Sequence, residues 1–175
     1  MKYKEAIIKS MELLAQDPRT YFIGYNITHG SKAYGTLSSV PIDRCIESPV
    51  AENLMTGLAI GMALGGYRPV LFFERHDFML NAADALINHL DKVEALSKGE
   101  FKAPVIIRAT VGGSIPINPG LQHINDYSNF FKNALSFPVY EYTKAEDIIG
   151  GYRKALLISQ PTMFIERRNL FDKEV

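Results

Sequence analysis

The chain has 175 residues, of which 47% are hydrophobic and 22% charged, and this balance is typical of one globular domain rather than a disordered segment. Its 19 basic and 19 acidic side chains give a formal net charge of +0, which predicts no global attraction to nucleic acid or to an anionic membrane. The single cysteine, Cys45, excludes an intrachain disulfide framework and a multi-cysteine metal site, and it fits a reducing compartment such as the cytoplasm.

Short apolar runs alternate with helical patterns along the chain. Amphipathic or capped patterns predict helices over residues 3–16, 50–65, 78–98, 126–133 and 145–159. Apolar runs bounded by turn residues predict strands at residues 21–25, 44–47, 69–73, 104–108, 137–142 and 162–166. The alternation predicts an α/β fold, with residues 1–175 as a single domain whose mostly parallel central sheet is covered by helices on both faces.

Two long connections are candidates for function or for mobility. Residues 26–41 are polar and contain glycine, and residues 111–122 are rich in Gly and Pro. Both follow predicted strands, and ligands on parallel sheets bind beyond the C-terminal strand ends. Gly112-Gly113 is a weak match to a phosphate-binding loop, because neither nucleotide-binding glycine motif is present. The four histidines have no spacing suited to a metal on one helix, so no metal site is predicted within the chain.

The second predicted helix carries an acidic residue in its first turn. Ser48 and Pro49 are typical of helix starts, so we expect the helix to begin near Val50, with Glu52 in the first turn. An acidic residue at this position is favoured by the helix dipole alone, and that structural interpretation of Glu52 stays open.

The same helix carries glycine on one face. The glycines are four residues apart and therefore share one face, where the absence of side chains lets another helix or a flat ligand approach the backbone. The residues are Gly57, Gly61 and Gly65. Each glycine costs roughly 1 kcal/mol of helix stability relative to alanine. Plain close packing inside the domain is the alternative explanation. The helix is too short and too rich in glycine to span a bilayer, so a soluble protein without a membrane partner is expected.

The spacing Glu-x4-Gly-Φ-x-x-Gly-Φ, which begins at Glu52, resembles the pyrimidine-binding domain of thiamine diphosphate enzymes. Similarity along nearly the whole chain points further to the β subunit of 2-oxoacid dehydrogenase E1 components. The segments that carry this similarity are residues 49–52, 57–69, 77–84, 104–113, 122–123, 145–155 and 161–166.

The resemblance gives Glu52 a chemical role. It implies that Glu52 contacts N1′ of the aminopyrimidine ring of thiamine diphosphate and shares a proton with that nitrogen, while the cofactor itself carries the bond-breaking chemistry. We expect Val50, Leu54 and Met55 to surround and desolvate the carboxyl group, with Val50 also in contact with the cofactor.

Two further residues take roles from the same resemblance. Phe78 is similar to the aromatic residue that stacks on the aminopyrimidine, and a core phenylalanine at the start of a helix is the alternative. His123 corresponds to a substrate-channel histidine that helps to handle the acyl intermediate and an incoming lipoyl arm, and a surface role is the alternative. The family usually has His-Ser-Gln where this chain has His123-Ile124-Asn125.

The resemblance also implies a partner. Enzymes of this kind use a Gly-Asp-Gly motif to hold Mg²⁺ and the diphosphate, and the 175 residues contain no such motif. A separate diphosphate-binding α-type subunit is therefore expected to bring most of the Mg²⁺ ligands, in an α2β2 assembly. We also expect the carboxyl-terminal domain of ordinary E1 β chains to be absent.

The function implied is that of a β-type subunit of a thiamine-diphosphate-dependent enzyme. Such an enzyme decarboxylates a 2-oxo acid and passes the acyl or aldehyde unit to an acceptor, and a lipoyl acyltransferase is one partner to test. A split transketolase-like two-carbon transferase subunit is the alternative among enzymes. A non-catalytic α/β binding module is the alternative outside them.

Overall fold

A computed structural model describes residues 1–114 and 117–175. Ile115 and Pro116, within the predicted loop 111–122, lie outside the described residues. Six strands in the described part form one sheet in the order β2-β1-β3-β4-β6-β5, and every neighbouring pair is parallel. They are β1 (Thr20–Gly24), β2 (Cys45–Glu47), β3 (Arg68–Phe73), β4 (Ile106–Val111), β5 (Val139–Tyr140) and β6 (Thr162–Arg167). The predicted α/β fold with a parallel sheet is confirmed.

Helices lie between the strands, as the alternation predicts. They are α1 (Tyr3–Ala15), α2 (Glu52–Leu64), α3 (His76–Met79), α4 (Val93–Leu96), α5 (Ser128–Ala134) and α6 (Ala145–Ala155). Within residues 1–114 and 117–175, no helix combines the length and apolar character needed to cross a bilayer.

The long helix predicted over residues 78–98 is helical but irregular. Its path runs from α3 through a 3₁₀ turn at Leu80–Ala82 and a π-helical segment at Ala85–Leu90 to α4. Within this segment Leu80 is exposed, whereas its neighbour Met79 is fully buried. Apolar residues stand at neighbouring positions here, so a 3.6-residue period fits more than one face, and the changes of pitch decide which face packs on the sheet.

Each face of the sheet has its own hydrophobic core. On one face, α2, α5 and the irregular helix contribute Met55, Leu86 and Phe131 to a cluster with the β-strands. On the other face, α1 and α6 pack with the connection that follows β1. Helices on both faces leave the C-terminal strand ends as the edge where loops gather.

The connection at residues 26–40 has an unusual backbone. Three successive non-glycine residues adopt left-handed conformations, with φ values of 47° at Lys32, 52° at Ala33 and 58° at Tyr34. Such conformations cost energy for side chains with a Cβ, so tertiary contacts must hold them. Ala33 is fully buried, and the Glu47 carboxylate accepts backbone N–H groups from the start of the connection. The loop is therefore anchored at both of these points.

Candidate active site

Glu52 is the first residue of α2, at the C-terminal edge of the sheet. The helix begins two residues later than predicted, with Ala51 at the N-cap and no side-chain cap. Ser48, the predicted capping residue, instead donates its hydroxyl to the Pro49 carbonyl at 2.8 Å. Ser48 and Pro49 therefore predicted that a helix follows, but not the residue at which it begins. The side chain of Glu52, the first helical residue, is buried.

The Glu52 carboxyl group is buried, with 4% of the residue exposed. Its Oε2 accepts a long hydrogen bond from Asn81 Nδ2 at 3.4 Å, and its Oε1 is buried without a hydrogen-bond partner among the described residues. Buried polar atoms are normally satisfied, so an unpaired carboxylate oxygen is a position where a hydrogen-bond donor from outside the described residues fits.

The expected desolvation of Glu52 by its helical neighbours is only partly correct. Met55 is fully buried, but Val50 is 71% exposed and Leu54 is 61% exposed. Leu54 lies on the outward face of α2, and Val50 precedes the helix, which begins at Glu52. The core side of the helix removes Glu52 from water, while Val50 and Leu54 form an apolar rim that faces away from the domain.

Tyr25 is a neighbour of Glu52 that the sequence analysis did not single out. The residue follows the end of β1, is 5% exposed, and its hydroxyl has no hydrogen-bond partner among the described residues. Burial raises the pKa of Tyr25 well above its usual value, and the negative charges of Glu52 and Glu74 raise it further. The protonated phenol therefore sits close to two carboxylates. The available sequence signal was its place as the last residue of the strand predicted over residues 21–25, since ligands bind at the C-terminal strand ends.

Phe78 and His123, which are 45 residues apart in the sequence, meet in the structure. Their rings pack edge to face, with centroids 5.1 Å apart and an interplanar angle of 84°. Phe78 lies on α3 against the core, and His123 ends the 3₁₀ turn Leu121–His123. His123 Nδ1 is buried without a partner among the described residues. Asn81 follows Phe78 by three positions and contacts Glu52, so α3 and the adjoining turn connect the ring pair to the carboxyl group.

The backbone of Gly112 packs against the turn that carries His123. A Cβ added at Gly112 would lie 1.8 Å from the His123 carbonyl oxygen, so only glycine fits without movement. Close packing of two backbones explains this glycine, in place of the phosphate loop that the sequence weakly suggested. Beside the turn lies a groove of about 360 Å³, lined by Asp77, Phe78, Leu80, Gln122, Asn125 and Tyr127.

A family model described as "Transketolase, pyrimidine binding domain" matches residues 2–173, which is almost the whole chain. The chain belongs to this family. The predicted resemblance to the pyrimidine-binding domain is therefore confirmed.

Relatives of this pyrimidine-binding domain include pyruvate dehydrogenase E1 β subunits. The mitochondrial subunit beta-1 of Oryza sativa subsp. japonica is 28% identical over 98% of this chain and 46% of its own length. The mitochondrial subunit of Saccharomyces cerevisiae is 29% identical over 98% of this chain and 48% of its own length. The Rickettsia conorii subunit is 28% identical over 96% of this chain and 52% of its own length. The chain thus spans about half the length of the curated relatives it matches.

A solved structure shares the fold of this pyrimidine-binding domain. It is described as "Split gene transketolase, inactive beta4 tetramer", and it superposes with a TM-score of 0.72 at 20% identity. The match covers 96% of this chain and 52% of that chain. This chain therefore has the same fold as that structure, although only 20% of the aligned residues are identical.

The outer face of α2 is an apolar exposed surface of this pyrimidine-binding domain that adjoins the site. Val50, Leu54 and Leu58 are exposed along it. Between them, a Cβ added at Gly57 or Gly61 would meet nothing within 4 Å. The glycine face therefore does not pack inside the domain, contrary to the alternative that the sequence left open. It leaves a flat, bare strip of helix backbone that begins beside Glu52.

Proposed function

We propose that this chain is the β-type subunit of a thiamine-diphosphate-dependent enzyme that decarboxylates a 2-oxo acid and passes the acyl or aldehyde unit to an acceptor. The observation that carries the proposal is Oε1 of Glu52, which is buried at the edge of a parallel sheet and has no hydrogen-bond partner within residues 1–114 and 117–175. The E1 β relatives named above support the 2-oxo acid as the substrate class. Residues 1–175 are then one pyrimidine-binding domain.

The residues present fit the aminopyrimidine part of thiamine diphosphate. Glu52 offers a carboxyl oxygen that can share a proton with a ring nitrogen, and Phe78 offers an aromatic face for stacking. Val50 adds an exposed apolar contact at the rim. When bound, the cofactor supplies the electron sink for decarboxylation.

Each side chain has a defined part in this proposal. Glu52 holds or releases the proton at the ring nitrogen in a site from which water is excluded, where a carboxyl group is most effective as an acid or base. His123 packs edge to face with Phe78, and in this proposal its imidazole donates to or accepts from the acyl group. Tyr25 keeps a phenolic proton next to Glu52.

A partner subunit completes the site in this proposal. An α-type chain binds the diphosphate and supplies most of the Mg²⁺ ligands, in an α2β2 assembly. The support is the exposed strip of α2, because bare glycines and apolar rim residues beside Glu52 are the features of a helix surface that another helix approaches closely. A lipoyl acyltransferase as acyl acceptor is part of the same proposal and is tested separately.

The test is co-expression with a candidate α-type chain, followed by thiamine diphosphate titration and a decarboxylation assay on a panel of 2-oxo acids. Glu52→Gln keeps the size of the side chain but removes its acid–base function, so kcat should fall by roughly 10²- to 10⁴-fold. Glu146→Gln is the matched control, because Glu146 also lies in the first turn of a helix but on α6. Normal turnover by the Glu52→Gln pair would overturn the proposal.

The same experiment separates the alternatives. Turnover of ketose phosphates in place of 2-oxo acids would identify a split transketolase-like two-carbon transferase. A chain that neither pairs with an α-type chain nor gains cofactor affinity in its presence would be a non-catalytic binding module. Transfer of the acyl unit to a lipoyl domain added to the assay would establish the dehydrogenase function.

A further inference from the structure

We propose that Asn125 is a positioning residue whose side-chain amide clamps His123 against Phe78. The effect of Asn125 on catalysis rests on the proposed function, whereas its contacts are observed in the isolated chain. Asn125 Nδ2 donates both to Asp77 Oδ1 and to the Leu121 carbonyl oxygen, the latter at 2.7 Å. Asp77 precedes Phe78 on α3, and Leu121 begins the 3₁₀ turn that ends at His123.

A single NH₂ group therefore joins the two segments that carry the ring pair. Both of its neighbours, a carboxylate oxygen and a carbonyl oxygen, can only accept, so the amide must present its nitrogen to them. The bond to Asp77 is charge-assisted and is the stronger of the two kinds. The bond to Leu121 closes the turn from the C-terminal side, four residues along the chain.

The other contacts of the turn do not fix its distance from α3. The His123 N–H donates to the Gly120 carbonyl at 3.1 Å, which shapes the turn internally. The close approach at Gly112 fixes the turn against the end of β4. The ring contact and the Asn125 amide link the turn to α3, while the Tyr127 N–H, which donates to His76 Nδ1 at 3.2 Å, ties the chain after the turn to the same helix. Because a ring contact of this kind is weak and tolerates sliding, the amide sets the distance.

The clamp also bears on the buried polar atoms around it. Asp77 Oδ2 and His123 Nδ1 are both buried without partners among the described residues. Asp77, Phe78 and Gln122 line the same groove, and Oδ1 of Asp77 is the oxygen that Asn125 engages. The clamp thus presents an acceptor and an imidazole nitrogen in a constant relative position.

The first test uses NMR of the imidazole protons of His123 in the full isolated chain, assigned by their loss in His123→Gln. Protons at the edge of one ring that points at the face of another carry a ring-current shift, so wild type should show a displaced His123 signal. Asn125→Ala should move that signal back toward the position of an exposed histidine. Asp77→Asn keeps an acceptor oxygen and should retain most of the displacement.

Asn118→Ala is the matched control, because Asn118 lies in the same loop and its Oδ1 accepts the Gly120 N–H, at 3.0 Å, rather than contacting α3. It should leave the His123 signal in place. If the alanine variant does not fold, Asn125→Asp replaces the donor by an acceptor of equal size, and the same loss of displacement is expected. A His123 signal that coincides with wild type in a folded Asn125 variant would overturn the clamp.

The second test uses the assembled pair with its α-type chain. Asn125→Ala should lower kcat by roughly 10- to 100-fold, since misplacement of a reacting group by about 1 Å costs this much. Thiamine diphosphate affinity should stay within about twofold, because Phe78 remains packed on the core and Glu52 is untouched. If kcat is unchanged although the NMR signal shows that His123 has moved, the clamp does not contribute to catalysis. An inactive wild-type pair would instead refute the proposed function and leave the NMR result standing.

Discussion

The buried guanidinium of Arg108 donates to both oxygens of Glu166, from Nε and from Nη2, each at 2.8 Å. Nη2 also donates to Thr36 Oγ1 at 2.9 Å, and the Tyr152 hydroxyl donates to Glu166 Oε1 at 2.6 Å. The pair joins β4 to β6 and holds the left-handed connection at residues 26–40 on the sheet. It lies on the face opposite α2, so it supports the loops of the site without entering it.

The first prediction concerns this ion pair. Glu166→Gln leaves the Arg108 charge buried without a counter-charge, and breaking such pairs costs about 3–5 kcal/mol. The unfolding free energy from urea titration should fall by this amount, with an unchanged slope against urea concentration. Asp17→Asn, which breaks the surface pair with Arg19, is the control and should have little effect. Equal stability of the two variants would contradict the prediction.

The second prediction concerns the bare face of α2. Gly61→Ala adds a Cβ that meets nothing within 4 Å in the single chain, so it should stabilise the helix by up to about 1 kcal/mol. If the face is a subunit interface, the same methyl group should weaken assembly with the α-type chain. Thermal unfolding and sedimentation of the mixture measure the two effects.

Gly150→Ala is the control for the glycine substitution. Gly150 lies on α6, and its added Cβ would also meet open space. It should raise the melting temperature of the single chain without changing assembly. Assembly that is weakened equally by both variants would show that the effect is not specific to α2.

The third prediction concerns Gly112. An alanine there would place a Cβ 1.8 Å from the His123 carbonyl oxygen, so the 3₁₀ turn must move. Overpacking of this kind costs about 1–3 kcal/mol, and the displaced turn should also lose the ring-current shift of His123. Gly57→Ala is the comparison, since it adds the same methyl group in open space. A wild-type NMR signal of His123 in Gly112→Ala would contradict the packing described above.

The fourth prediction concerns pH and His76. This side chain is fully buried, its Nδ1 accepts the Tyr127 N–H at 3.2 Å, and burial lowers its pKa from 6.5 to about 4, against the opposing attraction of Asp126. As pH falls, the unfolded chain binds the proton near pH 6.5, whereas the folded chain resists until about pH 4. Stability is therefore complete above pH 6.5 and declines through this window, by an amount on the order of 3 kcal/mol.

Urea titrations at several pH values measure this effect. His76→Asn keeps an acceptor oxygen for the Tyr127 N–H but does not titrate, so the decline between about pH 6.5 and pH 4 should shrink. His89→Asn is the control, because His89 is exposed and pairs with the exposed Asp84. A decline in His76→Asn as steep as in wild type would show that other groups cause it.

Several features of the site could be derived from residue order. The spacing from Glu52 to Gly61 placed a carboxyl group at the start of a helix with a bare face, and the structure has both. Alternating apolar runs predicted the strands to within about two residues at most ends, with β5 much shorter than expected. The roles of Glu52, Phe78, His123 and Val50 toward a cofactor stay predictions.

The sequence by itself determined the α/β alternation and the glycine spacing, because backbone hydrogen bonding and side-chain periodicity act over a few residues. The family followed from the resemblance of the motif at Glu52 and of the matching segments to known proteins, and the family model confirmed it. Only the tertiary structure decided that Val50 and Leu54 face outward, that Tyr25 lies beside Glu52, and that Asn125 ties His123 to α3. These contacts join residues far apart in the chain. They depend on how loops settle at the strand ends and on which helical face the sheet buries, and neither is encoded in a local pattern.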